Sequence, residues 1–214
     1  MTGPTPPSSS SAPAAGQPGP VALLLLAAGA STRMGQPKQL LPYRGRTLLR
    51  HAAETAAATG CAPLVLVTGA VHEALAAEVA DLPIAVVHNP DWPTGMAASI
   101  RTGLAAAGAA SAYLIMLSDQ PLVTTELLLQ LLAQQRQTRA PAVATAYGDA
   151  LGVPAVFDQS LLPALRALQG TQGANRLIAS LGRAVGRIAF PEGLLDVDTP
   201  EQYAALLQTP PRQA

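Results

Sequence analysis

The 214-residue chain contains little charge and few aromatic side chains. Charged residues make up 12% of it, with 13 cationic and 13 acidic side chains, and aromatic residues make up 3%. Such a chain lacks the wide basic surface that binds nucleic-acid phosphates. It also lacks the aromatic platforms on which single-stranded bases stack. We therefore expect no nucleic-acid partner.

Cysteine and long apolar runs are scarce as well. The single cysteine, Cys61, excludes an intrachain disulfide and a zinc site built from several thiolates, so a reducing, cytoplasmic location fits best. The longest apolar run, residues 21–30, is about half of the roughly 20 residues that a membrane-spanning helix needs. Residues 1–20 lack the charged and apolar regions of a secretory signal. We expect no membrane association, and we interpret residues 1–20 as a disordered tail.

Hydrophobic residues, by contrast, make up 49% of the chain, which is enough to build a sizeable core. Short apolar runs alternate with stretches of helical periodicity, and this pattern predicts an α/β domain with a mostly parallel sheet. One domain is expected over residues 21–208, followed by a C-terminal tail, 209–214. Strands are predicted over residues 21–26, 63–67, 84–87, 113–117, 141–145 and 187–190. Helices are predicted over residues 47–59, 71–79, 96–107, 124–137, 161–168, 173–181 and 200–207.

The loop after the first strand, residues 26–38, reads LAAGASTRMGQPK. Its small residues let backbone N–H groups approach an anion, and Arg33 and Lys38 supply the charge that a triphosphate requires. The loop is neither a Walker motif nor a dinucleotide fingerprint, because Lys38 follows a proline and Gly29 and Gly35 are six residues apart. A purely structural turn is the alternative interpretation.

Two acidic motifs provide candidate metal ligands. Residues 117–122 read LSDQPL at the end of a predicted strand, which puts Asp119 at the sheet edge where α/β proteins bind ligands. Magnesium is held by one or two carboxylates together with substrate phosphates, so Asp119 suits Mg²⁺, although it could instead cap the next helix. Residues 195–203 read LDVDTPEQY and offer Asp198 as a second ligand, with Asp196 as its rival.

A further loop, residues 88–104, reads HNPDWPTGMAASIRTGL and enters a predicted helix. Free N–H groups at a helix start can hold a nucleotide, which makes Gly95, Met96 and Ser99 candidate contacts. Core packing is the alternative for Met96, and helix capping is the alternative for Ser99.

Taken together, these motifs resemble the signature of the MobA-like nucleotidyltransferases. The LAAGxSxRMG form of the first loop is similar to the branch of molybdenum cofactor cytidylyltransferases. The resemblance extends over roughly residues 20–207 and implies a Rossmann-like, three-layer domain of GT-A type. It implies catalytic roles for Arg33, Lys38 and Asp119, and Mg²⁺ on Asp119 and Asp198. The nucleotide contacts that it implies are Leu26, Ala27, Ala28, Gly29, Ser31, Arg33, Lys38, Asn89, Gly95, Met96 and Ser99.

The same resemblance implies a reaction. A terminal phosphate of the acceptor attacks the α-phosphorus of CTP and releases pyrophosphate. The implied acceptor is molybdopterin carrying molybdenum, and the implied product is its cytosine dinucleotide. A transient complex with a molybdenum hydroxylase or its maturation factor would receive that product. Another phosphorylated acceptor, such as a sugar or alcohol phosphate, and a non-catalytic cofactor-maturation chaperone remain alternatives.

Three positions on the acceptor side depart from the cytidylyltransferase pattern. Val153 stands where that branch has His or Asn, Thr171 replaces an acidic residue, and Asn175 replaces an arginine, with Arg176 next to it. These departures leave the identity of the acceptor open.

The choice of base provides a test of the first loop. The guanylyltransferase branch typically has Leu-Ala-Gly-Gly where residues 26–29 of this chain read Leu-Ala-Ala-Gly. Replacing Ala28 by Gly, together with the matching guanylyl-type changes in the loop, is expected to shift preference from CTP toward GTP. Pyrophosphate release with each nucleotide measures the shift, and an unchanged preference would contradict the inference.

Overall fold

The computed structural model describes residues 19–194 and 197–208. Most of the predicted tails and Asp196 therefore lie outside the described residues. In chain order the strands are β1 (Val21–Ala27), β2 (Pro42–Tyr43), β3 (Arg46–Thr47), β4 (Leu64–Thr68), β5 (Ala85–His88), β6 (Ala112–Leu117), β7 (Ala142–Tyr147), β8 (Ala150–Asp158) and β9 (Val185–Ala189).

The helices begin close to the predicted positions, and threonine side chains cap several of them. Thr47 and Thr124 accept hydrogen bonds from the N–H groups of Arg50 and Leu127, which is the usual N-cap contact. No helix within the described ranges is both long and apolar enough to cross a membrane. The helices are α1 (Leu48–Ala57), α2 (His72–Glu78), α3 (Met96–Ala107), α4 (Thr125–Thr138), α5 (Leu162–Arg166), α6 (Ala174–Leu181) and α7 (Pro200–Gln208).

Within the described residues, seven strands form one sheet in the order β5-β4-β1-β6-β8-β7-β9. The β5-β4-β1-β6 half is parallel, and β9 is parallel to β7. Only β8 runs antiparallel to its two neighbours in this sheet. The predicted α/β class with a mostly parallel sheet and flanking helices is thereby confirmed.

The core lies on both faces of the sheet, which explains the uninterrupted apolar sequence of β1. Leu23 and Leu25 belong to the cluster on the face that α1 and α4 cover. Leu24 and Leu26 belong to the cluster on the opposite face, with side chains of α3 and α6. A strand covered on both sides requires apolar side chains at every position rather than alternation.

Strand β8 and the short β2-β3 hairpin were not predicted. Pro154 lacks the N–H group that a strand ladder needs, so the sequence around it does not indicate a strand. The structure accommodates it by a shift of register: Ala155 pairs with Ala144, whereas Gly152 pairs with Thr145. Val153 and Pro154 are consequently left out of the β7 ladder, as in a β-bulge.

The two-sided core predicts a contrast between two leucines. Leu114, in β6, is fully buried, whereas Leu129, on the outer face of α4, is 45% exposed. Leu114→Ala is expected to lower the free energy of unfolding by about 2–5 kcal/mol because it leaves a cavity. Leu129→Ala is expected to change it by less than about 0.5 kcal/mol. Urea unfolding measures both, and equal effects would contradict the assigned core.

Candidate functional site

A cleft of about 310 Å³ opens at the carboxyl ends of β1 and β6, the edge at which open α/β sheets bind ligands. It brings together most of the residues predicted from the sequence. Those that line it are Leu26, Ala27, Ala28, Gly29, Lys38, Gly95, Met96, Ser99 and Asp119. Gln39, Trp92, Pro93, Leu117 and Ser118 also line it and were not predicted.

Two carboxylates converge on one ammonium group beside this cleft. Lys38 Nζ lies 2.5 Å from Asp119 Oδ2 and 2.5 Å from Asp198 Oδ1. Arg33, whose side chain is 69% exposed, lies 2.6 Å from the other oxygen of Asp198 on the outer side. Arg33 and Lys38 follow β1, Asp119 follows β6 and Asp198 precedes α7, so the four charges come from three distant segments and meet only in the folded chain.

Local structure before α7 places Asp198. The N–H of Val197 donates to the carbonyl oxygen of Asp119 at 3.2 Å, which ties the two acidic segments together. Thr199 and Gln202 then form a reciprocal capping box: Gln202 Oε1 accepts from the N–H of Thr199, and Thr199 Oγ1 accepts from the N–H of Gln202. Gln202 Oε1 also accepts from the N–H of Asp198. The DTPEQ sequence therefore fixes the backbone that carries the Asp198 carboxylate.

The opposite charges of Lys38, Asp119, Asp198 and Arg33 stabilise one another. Burial alone lowers the pKa of Lys38, but attraction to Asp119 and hydrogen bonds to Asp119 and Asp198 outweigh burial, so the pKa is raised. Burial alone raises the pKa of Asp198, but the hydrogen bond and charge of Lys38, together with Arg33, hold that pKa below its usual value. Lys38 is therefore a cation and Asp198 an anion at neutral pH.

A divalent cation fits these residues. Asp119 Oδ1 is buried and accepts no hydrogen bond from the described part of the chain. A buried carboxylate oxygen without a partner is costly, and a bound cation would satisfy it. Residues 19–194 and 197–208 contain no cluster of three or more His, Cys, Asp or Glu side chains suited to a metal. A pair of carboxylates is instead the donor set for a hard ion that keeps waters or phosphates as further ligands.

Two predicted contacts lie behind the cleft wall. Asn89 is 1% exposed; its Nδ2 donates to Ser99 Oγ at 3.1 Å, and its Oδ1 accepts from the N–H of Asp91. The hydroxyl of Ser31 accepts from the N–H of Lys38 and donates to Gln39 Oε1. Neither Asn89 nor Ser31 lines the cleft, so their side chains hold neighbouring segments in place.

Among the residues that prediction missed, Gln39 has the most contacts with the loop. It is 2% exposed although polar, and its side chain bonds to three positions of the loop after β1. The sequence offered one indication of its role: Gln39 is a polar residue directly between Lys38 and the apolar residues 40–41.

A second cavity of about 330 Å³ adjoins the cleft, and Leu26, Met96 and Leu117 line both. It contains all three positions that depart from the acceptor pattern: Val153, Thr171 and Asn175. None of the described residues that line it is ionisable.

The backbone of Val153, which does not pair with β7, is held at this cavity by hydrogen bonds to two side chains. Asn175 Oδ1 accepts from its N–H at 3.3 Å, and Gln120 Nε2 donates to its carbonyl oxygen at 3.2 Å. Asn175 thus supports the cavity wall with its oxygen. Arg176 is exposed and does not line the cavity.

The walls of the two cavities meet where α3 begins. Gly95 has φ 117°, and a Cβ there would lie 2.4 Å from the carbonyl oxygen of Gly170. The same oxygen accepts from the N–H of Ala97 at 3.2 Å. The loop that carries Thr171 therefore packs directly on the start of α3, at the wall of the cleft.

Comparison with known proteins gives a family match and full-length relatives. The family model described as MobA-like NTP transferase domain matches residues 23–185. Nicotine blue oxidoreductase from Paenarthrobacter nicotinovorans is 38% identical over 193 residues, covering 86% of this chain and 95% of that protein. Molybdenum cofactor cytidylyltransferase from Escherichia coli (strain K12) is 27% identical over 186 residues, covering 84% and 92%.

A solved structure agrees with the fold. The crystal structure of Rv0371c from Mycobacterium tuberculosis H37Rv is 32% identical with a TM-score of 0.77, and the match covers 89% of this chain and 98% of that one. A structure of Rv0371c in complex with manganese is 31% identical with a TM-score of 0.72, covering 89% and 99%.

The contact at the start of α3 predicts the effect of a single methyl group. Gly95→Ala is expected to weaken nucleotide binding and to destabilise the fold, because the new Cβ collides with the Gly170 backbone. Gly108→Ala is the matched control: Gly108 also has a positive φ, 67°, at the other end of α3, but a Cβ there meets nothing within 4 Å. Thermal melting and nucleotide titration measure both variants. Equal losses in the two would attribute the effect to backbone strain alone and contradict the proposed contact.

Proposed function

Because the chain belongs to the family of MobA-like NTP transferase domains, we propose that it transfers CMP from CTP to molybdopterin carrying molybdenum and releases pyrophosphate. The observation that carries this proposal is the convergence of Asp119 and Asp198 on Lys38 beside a glycine-containing loop. The full-length similarity to a molybdenum cofactor cytidylyltransferase supports the choice of base and acceptor.

The nucleotide would occupy the cleft. Lys38 and Arg33 would turn toward the triphosphate, and backbone N–H groups of residues 28–31 would surround it. Against the effect of burial, Asp119 and Asp198 raise the pKa of Lys38, so its ammonium is charged before the nucleotide arrives. Gly95, Met96 and Ser99, at the start of α3, would hold the base and ribose, and Asn89 would act by orienting Ser99.

Asp119 and Asp198 would hold Mg²⁺. When bound, this ion neutralises charge on the phosphates and on the departing pyrophosphate. The similar protein Rv0371c has been solved in complex with manganese, which supports the proposal that this chain binds a divalent ion. Lys38 would then release the carboxylates and pair with the phosphates instead, since one ammonium and one divalent ion compete for the same oxygens.

The acceptor would occupy the second cavity, whose wall at Leu26, Met96 and Leu117 it shares with the cleft. An oxygen of its terminal phosphate would form a bond to the α-phosphorus, and the bond from that phosphorus to the bridging oxygen would break. The electron pair would leave with pyrophosphate. The residues of the chain contribute by positioning the reactants and neutralising charge, without a covalent intermediate. The product would pass to a molybdenum hydroxylase or its maturation factor.

Two observations favour other candidates. The neutral side chains at Val153, Thr171 and Asn175 are compatible with a different phosphorylated acceptor, such as a sugar or alcohol phosphate. The 38% identity to nicotine blue oxidoreductase across 95% of that protein favours an oxidoreductase as a second candidate function.

Pyrophosphate release in the presence of Mg²⁺ tests the proposal. CTP, GTP, ATP and UTP are offered in parallel, each with and without molybdenum-loaded molybdopterin under anaerobic conditions. Release that requires both CTP and the pterin is the expected result. Pyrophosphate release only with a sugar or alcohol phosphate would show that this compound, and not the pterin, is the acceptor. No release with any acceptor, together with transfer of hydride from a reduced nicotinamide to nicotine blue in the presence of this chain, would favour the oxidoreductase.

The competition at the carboxylates gives a separate prediction. Lys38→Met removes the cation between Asp119 and Asp198, so Mn²⁺ is expected to bind about tenfold more tightly without nucleotide, equivalent to about 1.4 kcal/mol. The same variant is expected to lose turnover because the triphosphate loses a cation. Electron paramagnetic resonance of free Mn²⁺ measures the affinity, with Asp119→Asn as the variant expected to bind it more weakly. Unchanged or weaker Mn²⁺ binding by Lys38→Met would contradict the proposal that the Lys38 ammonium and the divalent ion compete for Asp119 and Asp198.

A further inference from the structure

The buried side chain of Gln39 organises the loop that follows β1. Its Nε2 donates to the carbonyl oxygen of Ala27 at 3.2 Å and to that of Gly29 at 2.8 Å. Its Oε1 accepts from the hydroxyl of Ser31 at 3.2 Å. Because carbonyl oxygens can only accept, these contacts also fix which end of the amide is the NH₂ group. One side chain thereby binds three positions of the loop.

The carbonyl oxygens and the N–H groups of this loop are used very differently. Ser118 and Ala70 donate their N–H groups to the carbonyl oxygens of Leu26 and Ala28. With the two contacts of Gln39, every carbonyl oxygen of residues 26–29 accepts a hydrogen bond. The N–H groups of residues 28–31 donate to no atom in the described part of the chain. The loop therefore presents donors whose acceptor must come from water or a ligand.

The planarity of the peptide bond connects these two facts. In a trans peptide, the carbonyl of one residue and the N–H of the next point in opposite directions. Since Gln39 holds the carbonyls of Ala27 and Gly29, the N–H groups of Ala28 and Ala30 point away from Gln39. A run of free N–H groups without competing carbonyl oxygens is the arrangement that binds anions.

The same side chain is connected to Lys38. Ser31 Oγ accepts from the N–H of Lys38 at 3.1 Å while the hydroxyl donates its proton to Gln39. Ser31 has φ 56°, a left-handed conformation that is uncommon outside glycine and is held by surrounding contacts. Gln39, Ser31 and the Lys38 backbone thus form one hydrogen-bonded unit between the anion-binding loop and the catalytic lysine.

We propose that Gln39 is a positioning residue for the triphosphate, acting through the direction of the loop N–H groups and the placement of Lys38. The inference rests on the proposed function in one respect, namely that the anion is a nucleoside triphosphate. Loss of the amide is expected to weaken nucleotide binding while every other group of the loop, and the charge of Lys38, is still present.

Gln39→Met tests this role because it keeps the length of the side chain and removes its hydrogen bonds. Gln135→Met is the matched control, since Gln135 is also buried, at 8% exposure, but lies in α4 and does not line the cleft. Calorimetric titration with magnesium and CTP, and with inorganic triphosphate, measures affinity. Hydrogen exchange of the peptide over residues 27–31 reports on the loop directly. We expect at least tenfold weaker binding and faster loop exchange for Gln39→Met, and less than a twofold change in binding for Gln135→Met.

A double-mutant cycle separates this role from a loss of general stability. If Gln39 and Ser31 act as one unit, Ser31→Ala and Gln39→Met will weaken CTP binding by amounts that do not add. Wild-type CTP affinity in Gln39→Met overturns the proposal, as does a loss of affinity matched by Gln135→Met. If the wild type binds none of the nucleotides, the proposed function fails. In that case, the affinity for inorganic triphosphate and the hydrogen exchange of residues 27–31 still test the role of Gln39. If Gln39→Met leaves the exchange of the loop unchanged, the proposal for Gln39 is overturned.

Discussion

The parallel pairing of β1 between β4 and β6 is the constraint on which the site depends. It brings the ends of three strands to one edge of the sheet, where Ala27 pairs with Thr68 and Leu26 pairs with Leu117. Every loop of the cleft starts from this edge. The pairing is stabilised by the burial of β1 on both faces. The apolar core therefore also holds the loops of the polar cleft in position.

At that edge, a group of side chains that favours a cation lies next to a loop that favours an anion. Asp119 and Asp198 form a site for a cation, which Lys38 fills in the structure. The carbonyl oxygens of the loop after β1 accept hydrogen bonds within the protein, whereas, within the described ranges, its N–H groups remain available as donors, an arrangement that suits an anion. A magnesium-bound triphosphate carries both kinds of charge, which is why this pair of sites supports the proposed nucleotidyl transfer.

The second cavity, proposed above to hold the acceptor, differs in its charge from the cleft. The register shift beside Pro154 frees the backbone of Val153, and Gln120 and Asn175 then hold it with uncharged groups. The described residues that line the resulting cavity are neutral, in contrast to the charged groups beside the cleft. An anion is costly to bury in such surroundings, so a phosphate of the proposed acceptor would lie more favourably toward the cleft and its cations.

The sequence by itself determined the α/β class, most helix and strand positions, and most of the residues that line the cleft. These features are local: the periodicity of apolar residues, threonine caps and short motifs are all encoded within a few adjacent residues. Only the tertiary structure decided that Asp119 and Asp198 meet on Lys38, that Asn89 and Ser31 lie behind the cleft, and that Gln39 holds the loop. Strand β8 escaped prediction because its local signal is broken by Pro154, while its pairing with β6 and β7 is not local. Contacts between distant segments depend on how the sheet orders its strands, and no short stretch of sequence carries that information.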